Sequence, residues 1–241
     1  MKVDIIGDIH GCYEELCELM KHLGYQQYRH PLERKLIFLG DLMDRGPNSM
    51  KIIKLVYQLV IKEQCAYYVP GNHCNKLYRY FLGNNVKIQH GPERTIREFM
   101  SLDVHEQMII RNKCLALYES ASLYLQLPQL NAVVAHAGIK EEYTGRYDKE
   151  VKTFVLYGDI TGTAYEKHRP IRRDWAKHYS GDQWIIYGHT PVLKPRFTNK
   201  TVNIDTGCVF GNALTAFRLP EKMVISIPSK QPLIKKFYTF S

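Results

Sequence analysis

The chain has 241 residues, of which 45% are hydrophobic and 24% are charged, and its formal net charge is +9. No apolar stretch approaches the ~18 residues that a membrane-spanning helix needs, and no secretory leader precedes the first apolar run. We therefore expect a cytoplasmic protein whose cysteines are free thiols and whose positive charge favours anionic partners. We expect neither membrane nor duplex nucleic acid as a partner, because the basic residues are scattered and form no basic arm.

The first third of the chain alternates predicted strands and helices. Apolar runs predict strands at 2–8, 35–41 and 66–72, and apolar residues at helical spacing predict helices at 12–23 and 48–61. This βαβαβ order is typical of parallel strands in an α/β fold.

The rest of the chain predicts one helical segment and a second group of strands. Residues 93–119 are mainly helical and carry no chemical motif, so we expect a cap-like insertion beside the site. Strand-like runs return at 132–136, 184–187, 201–205, 214–219 and 223–228. These runs suggest a second sheet packed on the first. No linker divides the sequence, so we expect residues 1–241 to form a single domain.

Five short segments place metal-binding atoms where an apolar strand ends. In chain order they read GDIHG from Gly7, GDLMDRG from Gly40, GNH from Gly71, AHAG from Ala135 and YGHT from Tyr187. The carboxyl ends of parallel strands meet at one edge of a sheet, so these segments should converge. Side chains alternate along an extended segment, so we expect Asp8 and His10 to point the same way.

The candidate ligands in these segments are Asp8, His10, Asp41, Asn72, His136 and His189. Carboxylate, imidazole and carboxamide donors together suit a transition metal better than calcium or magnesium. Six ligands are too many for one catalytic ion that keeps an open position. They suit two ions ~3.5–4 Å apart that share Asp41 and clamp the attacking and leaving oxygens of a phosphoryl displacement.

In this order, the five motifs resemble those of the calcineurin-like metallophosphoesterases. More narrowly, they resemble the bacteriophage-type and bis(5′-nucleosyl)-tetraphosphatase branch of the phosphoprotein-phosphatase superfamily. The likeness continues through YVPGNHCNKLYRY, VVAHAG, RPIRRDWA and NIDTGCVFG, so it covers nearly the whole chain. It implies a metallophosphoesterase four-layer sandwich, an α/β fold of two mixed β-sheets flanked by helices.

The resemblance also implies roles for the motif residues. The first metal would be held by Asp8, His10 and Asp41, and the second by Asp41, Asn72, His136 and His189. Both would be divalent, with Ni²⁺ or Mn²⁺ expected, and a hydroxide bridging them would attack phosphorus. His73 would protonate the leaving oxygen, Asp44 would orient His73, and Arg45 would bind phosphate oxygens. One departure from the wider superfamily is Cys74, which stands where an acidic residue is usual.

Three more residues have two interpretations each. Asp205 ends a predicted strand, so it either supports a ligand histidine or is an ordinary turn residue. Arg172 and Arg173 either bind substrate phosphates or belong to a solvated run of charge.

The resemblance implies an enzyme that hydrolyses dinucleoside polyphosphates, cleaving diadenosine tetraphosphate asymmetrically to ATP and AMP. The same site chemistry would serve a protein phosphatase acting on phosphotyrosine or phosphoserine/threonine, so phosphoproteins are an alternative substrate. A nucleic-acid end phosphatase is a further alternative, although the chain has no P-loop and no room for attached kinase or ligase domains. A non-catalytic scaffold would tolerate the loss of ligands, yet every expected ligand is present here.

Overall fold

The computed structural model describes residues 1–89, 91–166, 169–234 and 237–238. Their strands are β1 (Val3–Ile6), β2 (Lys35–Phe38), β3 (Ala66–Tyr68), β4 (Leu125–Leu127), β5 (Ala132–Val134), β6 (Ile160–Glu166), β7 (Arg169–Arg172), β8 (Trp184–Tyr187), β9 (Arg196–Thr198), β10 (Thr201–Asn203), β11 (Ala213–Leu219) and β12 (Met223–Pro228). Their α-helices are α1 (Tyr13–Leu23), α2 (Ser49–Tyr57), α3 (Asn72–Phe81), α4 (Pro92–Met100), α5 (Val104–Ser120) and α6 (Lys149–Tyr157). Helix α2 continues as a π-helical segment at Gln58–Lys62.

Ten of these strands form two five-stranded mixed sheets, in the orders β12-β11-β1-β2-β3 and β4-β5-β8-β10-β9. Three adjacent strands of each sheet run parallel, namely β1, β2 and β3 in the first and β5, β8 and β10 in the second. Antiparallel strands complete both sheets. Strands β6 and β7 form a separate antiparallel hairpin.

Apolar side chains on both faces of the sheets produce a four-layer sandwich. Val3 and Ile5 of β1 pack against Ile186 of β8 in the core between the sheets. Ile6 points to the opposite face of β1, as the pleat requires, and joins a core with the apolar faces of α1 and α2. Ile185 on the outer face of β8 packs with α6. The predicted fold of two mixed sheets flanked by helices is confirmed.

The second-half strands divide between the sheets in a way the sequence did not predict. The runs at 132–136, 184–187 and 201–205 form β5, β8 and β10 of the second sheet. The runs at 214–219 and 223–228 form β11 and β12, which extend the first sheet instead, with Leu219 opposite Val3. That part of the expectation is wrong, because pairing between the two ends of a chain leaves no local pattern in the sequence.

The segment at 93–119 forms α4 and α5, which pack against α2 and α3. Strand β4, the hairpin of β6 and β7, and helix α6 are additional elements that the sequence pattern did not predict. Among the helices of the described ranges, none is long and apolar enough to cross a bilayer.

Candidate metal centre

The polar residues that follow the parallel strands of both sheets meet at one edge of the sandwich. Strands β1, β2 and β3 lead into Asp8, Asp41 and Asn72, and strands β5 and β8 lead into His136 and His189. The convergence predicted from the sequence is therefore present, and it draws on both sheets.

Asp41 lies at the middle of this arrangement and is 2% exposed. Its Oδ2 atom is 3.6 Å from Nε2 of His10 and 3.4 Å from Nε2 of His136, so one carboxylate faces histidines from both sheets. Its Oδ1 atom accepts a hydrogen bond from the backbone N–H of His73 at 2.9 Å. A Cβ atom at Gly71 would lie 2.1 Å from this Oδ1, so only glycine leaves room for the carboxylate.

Three candidate ligand atoms meet around His136, which follows β5 of the second sheet. Nε2 of His136 is 3.2 Å from Oδ1 of Asn72 and 3.1 Å from Nδ1 of His189. Nδ1 of His136 lies 3.0 Å from the carbonyl oxygen of Leu39, which fixes the N–H there and leaves the Nε2 lone pair directed inward. Adjacent ligands of one ion, bound at ~2.0–2.2 Å, lie about 3.0–3.5 Å apart, so these residues fit a shared cation.

His10 is held in the same way on the side of the first sheet. Its Nδ1 atom lies 2.8 Å from the carbonyl oxygen of Met43, so the Nε2 lone pair faces Asp41. A guanidinium nitrogen of Arg45 lies 2.7 Å from that Nε2. Each of these histidines thus has an outer oxygen that fixes its tautomer, as ligating histidines usually do.

Asp8 lies beside the centre, but its carboxylate does not belong to either of the closely spaced groups of ligand atoms. Among the described residues of the centre, candidate ligand atoms within 4.8 Å of one another include one set of His10, Asp41 and His73 and another of Asp41, His136 and His189. Both carboxylate oxygens of Asp8 accept from the backbone N–H of His189 at 3.2 Å. A Cβ atom at Gly188 would lie 2.2 Å from Asp8 Oδ1, so glycine permits this approach.

We expected Asp8 and His10 to point the same way because they would lie in an extended segment, and that reason is wrong. Strand β1 ends at Ile6, and His10 has a left-handed backbone with φ of +47°. The strand alternation therefore ends before the motif, and a turn brings the imidazole to the centre.

Five non-glycine residues of the motifs have positive φ angles. The non-glycine residues concerned are His10, Asp41, Asp44, Arg45 and His189, with φ between 35° and 77°. Such conformations are each unfavourable by ~1–3 kcal/mol and persist where the surrounding structure imposes them.

Burial and mutual charge shift the pKa values of the ligand set. Burial and Arg45 lower the pKa of His10, and burial and His136 lower the pKa of His189, so both imidazoles are held neutral. Burial and the neighbouring Asp205 raise the pKa of Asp8. Burial opposes ionisation of His136, but the carboxylate of Asp41 prevails and raises the pKa of His136 to about 9. His136 is therefore protonated at neutral pH beside the Asp41 carboxylate, and a cation that binds there would displace this proton.

His73 and Asp44 form a buried pair beside this ligand set. Nδ1 of His73 lies 2.7 Å from Oδ2 of Asp44, and Asp44 is completely buried. Asp44 is itself positioned by its backbone N–H, which lies 3.0 Å from the Thr95 hydroxyl of α4 and 3.2 Å from the Ser49 hydroxyl of α2. The sequence pattern singled out neither Thr95 nor Ser49, since nothing local connects them with the motif.

The three arginines expected to bind phosphate, Arg45, Arg172 and Arg173, lie beside the candidate ligands, and the surface around them is the opening of the centre. The Arg45 guanidinium stands over the Phe210 ring, 5.7 Å from its centroid. Arg172 is half-buried, donates from Nε to the carbonyl oxygen of Tyr157, and lines a pocket together with His189. Arg173 is exposed and lines the same pocket.

Asp205 is buried beside Asp8. Its carboxylate accepts from the backbone N–H of Gly207 at 3.0 Å. Burial raises the pKa of Asp205 to about 6 despite that hydrogen bond. Its charge acts on Asp8, and no hydrogen bond links its side chain to a histidine in the ranges that the structure describes.

Residues 1–193 match the family model for calcineurin-like phosphoesterases, which is more than half of the chain. This chain belongs to the calcineurin-like phosphoesterase family. The matched residues contain all five motifs of the centre, and the family explains why these strand ends converge on O and N donors.

Relatives of known name cover practically the whole chain. It is 59% identical over 243 residues to bis(5′-nucleosyl)-tetraphosphatase PrpE [asymmetrical] of Oceanobacillus iheyensis, covering 99% of this chain and 97% of that protein. It is 58% identical over 245 residues to the protein of the same name in Geobacillus sp. strain WCH70, with full coverage of both.

Solved structures show the same fold at lower identity. A candidate diadenosine tetraphosphatase superposes with a TM-score of 0.68 at 23% identity, over 95% of this chain and 93% of that one. A serine/threonine phosphatase from Saccharomyces cerevisiae superposes with a TM-score of 0.62 at 13% identity, over 98% of this chain and 82% of that one. The fold is thus shared by proteins with different substrates.

Proposed function

We propose that this chain hydrolyses dinucleoside polyphosphates and cleaves diadenosine tetraphosphate asymmetrically, to ATP and AMP. The observation that carries the proposal is the 59% and 58% identity, over nearly the full length, to proteins named as asymmetrical bis(5′-nucleosyl)-tetraphosphatases. The buried centre of O and N donors supports the phosphoanhydride hydrolysis that this activity requires.

The ligand set fits two divalent transition-metal ions, with Ni²⁺ or Mn²⁺ as our proposal. Asp8, His10 and Asp41 would hold one ion, and Asp41, Asn72, His136 and His189 the other. When bound, such ions supply a nucleophile at neutral pH and stabilise negative charge on the transferring phosphoryl group. Asp41 is suited to the shared position because it faces histidines from both sheets.

His73 acts in this proposal as the general acid that protonates the leaving oxygen. Asp44 approaches Nδ1 at 2.7 Å, so it fixes the orientation of the ring. The Nε2 edge of the ring is then available to the leaving group. Thr95 and Ser49 hold the backbone of Asp44 and act on the reaction only through it.

The arginines at the opening suit an extended anionic chain better than a single phosphate. Arg45 would bind phosphate oxygens near the centre through its fork of donors. The pocket of His189, Arg172 and Arg173 shares Gly158 and Asp159 with a second pocket that Lys140 lines. We propose that the polyphosphate leaves the centre along this path.

We further propose that residues 1–241 act as one catalytic domain. In this interpretation α4 and α5 support the second motif through α2, the helix that follows it. Glu98 of α4 accepts hydrogen bonds from the backbone N–H groups of Ser49 and Met50 at the start of α2, at 2.9 and 3.1 Å.

The test compares substrates on one metal-loaded preparation. We expect kcat/KM for diadenosine tetraphosphate to exceed that for a phosphotyrosine peptide and for a 5′-phosphorylated oligonucleotide. The Asp41→Asn protein, purified in parallel, controls for contaminating phosphatases. Rapid turnover of the phosphopeptide without cleavage of diadenosine tetraphosphate would contradict the proposal.

A further inference from the structure

A second group of metal-binding side chains lies outside the candidate metal centre. It consists of Cys12, Glu15 and Cys208, whose ligand atoms all lie within 4.8 Å of one another. The three residues are 0%, 1% and 1% exposed. Neither the five motifs nor the proposed reaction uses this cluster.

Two distant parts of the chain bring the two thiols together. Cys12 directly precedes α1, and Cys208 lies in the turn between β10 and β11. Their sulfur atoms lie within 4.8 Å of each other and of a Glu15 carboxylate oxygen. The Cys12 sulfur also lies 3.9 Å from the carbonyl oxygen of His10.

Glu15 is an unusual residue for the core. Its Oε1 atom accepts from the backbone N–H of Lys230 and from the Gln231 side chain, both at 3.0 Å and both uncharged donors. Its neighbours Glu14 and Glu18 form ion pairs with the Lys230 ammonium, each at 3.4 Å. Glu15 forms no ion pair within the described ranges. A buried carboxylate without a cationic partner is uncommon in a protein core, so Glu15 is a suitable ligand for a cation.

We propose that Cys12, Glu15 and Cys208 form a site for a thiophilic divalent cation of the Zn²⁺ type, distinct from the candidate metal centre. Two sulfur donors and one carboxylate are a soft set that zinc accepts readily. With Zn–S bonds of ~2.3 Å, tetrahedral sulfur ligands lie about 3.8 Å apart, which the present spacing allows with small shifts. Binding converts two thiols to thiolates and releases two protons to solvent, with no change of oxidation state.

The bound cation would join three segments that meet at this point. These are the loop that carries His10, the turn at Cys208, and the C-terminal segment at Lys230 that Glu15 already binds. The site therefore stabilises the position of the first motif without taking part in the reaction.

Cobalt(II) provides a test that does not depend on activity. Thiolate ligands give cobalt an intense near-ultraviolet charge-transfer band, whereas O and N ligands alone do not. We expect this band on titrating the full-length reduced protein with Co²⁺, and we expect Zn²⁺ to abolish it by competition. The band should persist in Asp41→Asn, which separates this site from the centre and from the proposed function.

Cysteine variants identify the ligands. Cys208→Ser should remove the band, whereas Cys17→Ser, on the exposed face of α1, and Cys74→Ser, beside the candidate centre, should retain it. If Cys208→Ser does not fold, Glu15→Gln serves instead, because its amide oxygen can still accept the two hydrogen bonds. We expect Glu15→Gln to bind Co²⁺ at this site about tenfold or more weakly, in line with the loss of a charged ligand.

Three results would overturn the proposal. They are the absence of a thiolate band at saturating Co²⁺ in the reduced wild-type protein, a band that survives in Cys208→Ser, and a band lost in Cys74→Ser. If the reduced protein shows no band and the air-oxidised protein contains a Cys12–Cys208 disulfide by peptide mass analysis, the pair is a redox site and not a metal site.

Discussion

The candidate centre and the surface around its opening are built differently. In the centre, Asp41 and His136 are almost completely buried, and each ligating atom is fixed by a backbone carbonyl, a backbone N–H or a neighbouring ligand. At the opening, Arg173 is exposed and Arg172 is half-buried. Arg172 is the last residue of β7, which belongs to a short hairpin outside the two main sheets, and Arg173 comes directly after it.

We propose that this difference lets one fold serve several substrates. In this proposal the buried centre would provide phosphoryl-transfer chemistry that any phosphorylated substrate can use. The opening would decide which substrate brings its phosphorus to the centre. Changes in the centre should therefore affect all substrates alike, and changes at the opening should affect long polyphosphates selectively.

The largest effect is expected from Asp41→Asn. Asp41 faces histidines from both sheets, and a neutral amide bridges two cations poorly. We expect loss of at least one metal and a fall in kcat of about 10³-fold or more for every substrate, since the metal stabilises the transition state by several kcal/mol. Metal analysis and kcat measurements check this, with Asp182→Asn at the surface as the control. Two retained metals and near-normal turnover would refute the bridging role.

A large but substrate-dependent effect is expected from His73→Ala. As a general acid, His73 should contribute ~10²–10⁴-fold for poor leaving groups such as the alcohol of an alkyl phosphate, and much less for nitrophenol. Metal content should not change. Kinetics with alkyl phosphate and nitrophenyl phosphate substrates check this, with His178→Ala as the surface control. An equal loss for both leaving groups, or loss of a metal, would assign His73 to positioning or ligation instead.

A moderate effect is expected from Thr95→Val. The variant removes one hydroxyl that holds the backbone N–H of the buried Asp44. The loss of such a hydrogen bond lowers the free energy of unfolding by ~1–3 kcal/mol. Thermal unfolding measures the loss of stability, and we expect the leaving-group dependence of kcat to move toward that of His73→Ala. Unchanged stability and kinetics would show that α4 does not support Asp44.

The smallest effect is expected from Arg173→Gln, and it should be selective. Arg173 lines the pocket next to His189 from an exposed position. The loss of one phosphate-binding charge should raise KM for diadenosine tetraphosphate by about 2–10-fold, equivalent to ~0.4–1.4 kcal/mol, and leave nitrophenyl phosphate unaffected. Lys177→Gln, an exposed lysine that does not line the pocket, is the matched control. Equal changes for both substrates would place Arg173 in the chemistry and not in substrate selection.

The convergence of the strand ends could be predicted from the sequence better than its surroundings, for a physical reason. Each candidate ligand lies within a few residues of the end of an apolar strand, so local pattern and parallel topology together indicate where it lies. The carbonyl oxygen of Met43 that orients His10, and the hydroxyl of Thr95 that holds Asp44, come from contacts that leave no trace in residue type or spacing. The same holds for β11, whose place beside β1 depends on pairing across almost the whole chain.

The products of the first turnovers test the central claim most directly. Diadenosine tetraphosphate is incubated with metal-loaded protein, and nucleotides are separated chromatographically before secondary hydrolysis begins. We expect equal amounts of ATP and AMP from the earliest times, and about 10³-fold less product, or even less, from Asp41→Asn. Two molecules of ADP as the initial products would contradict it.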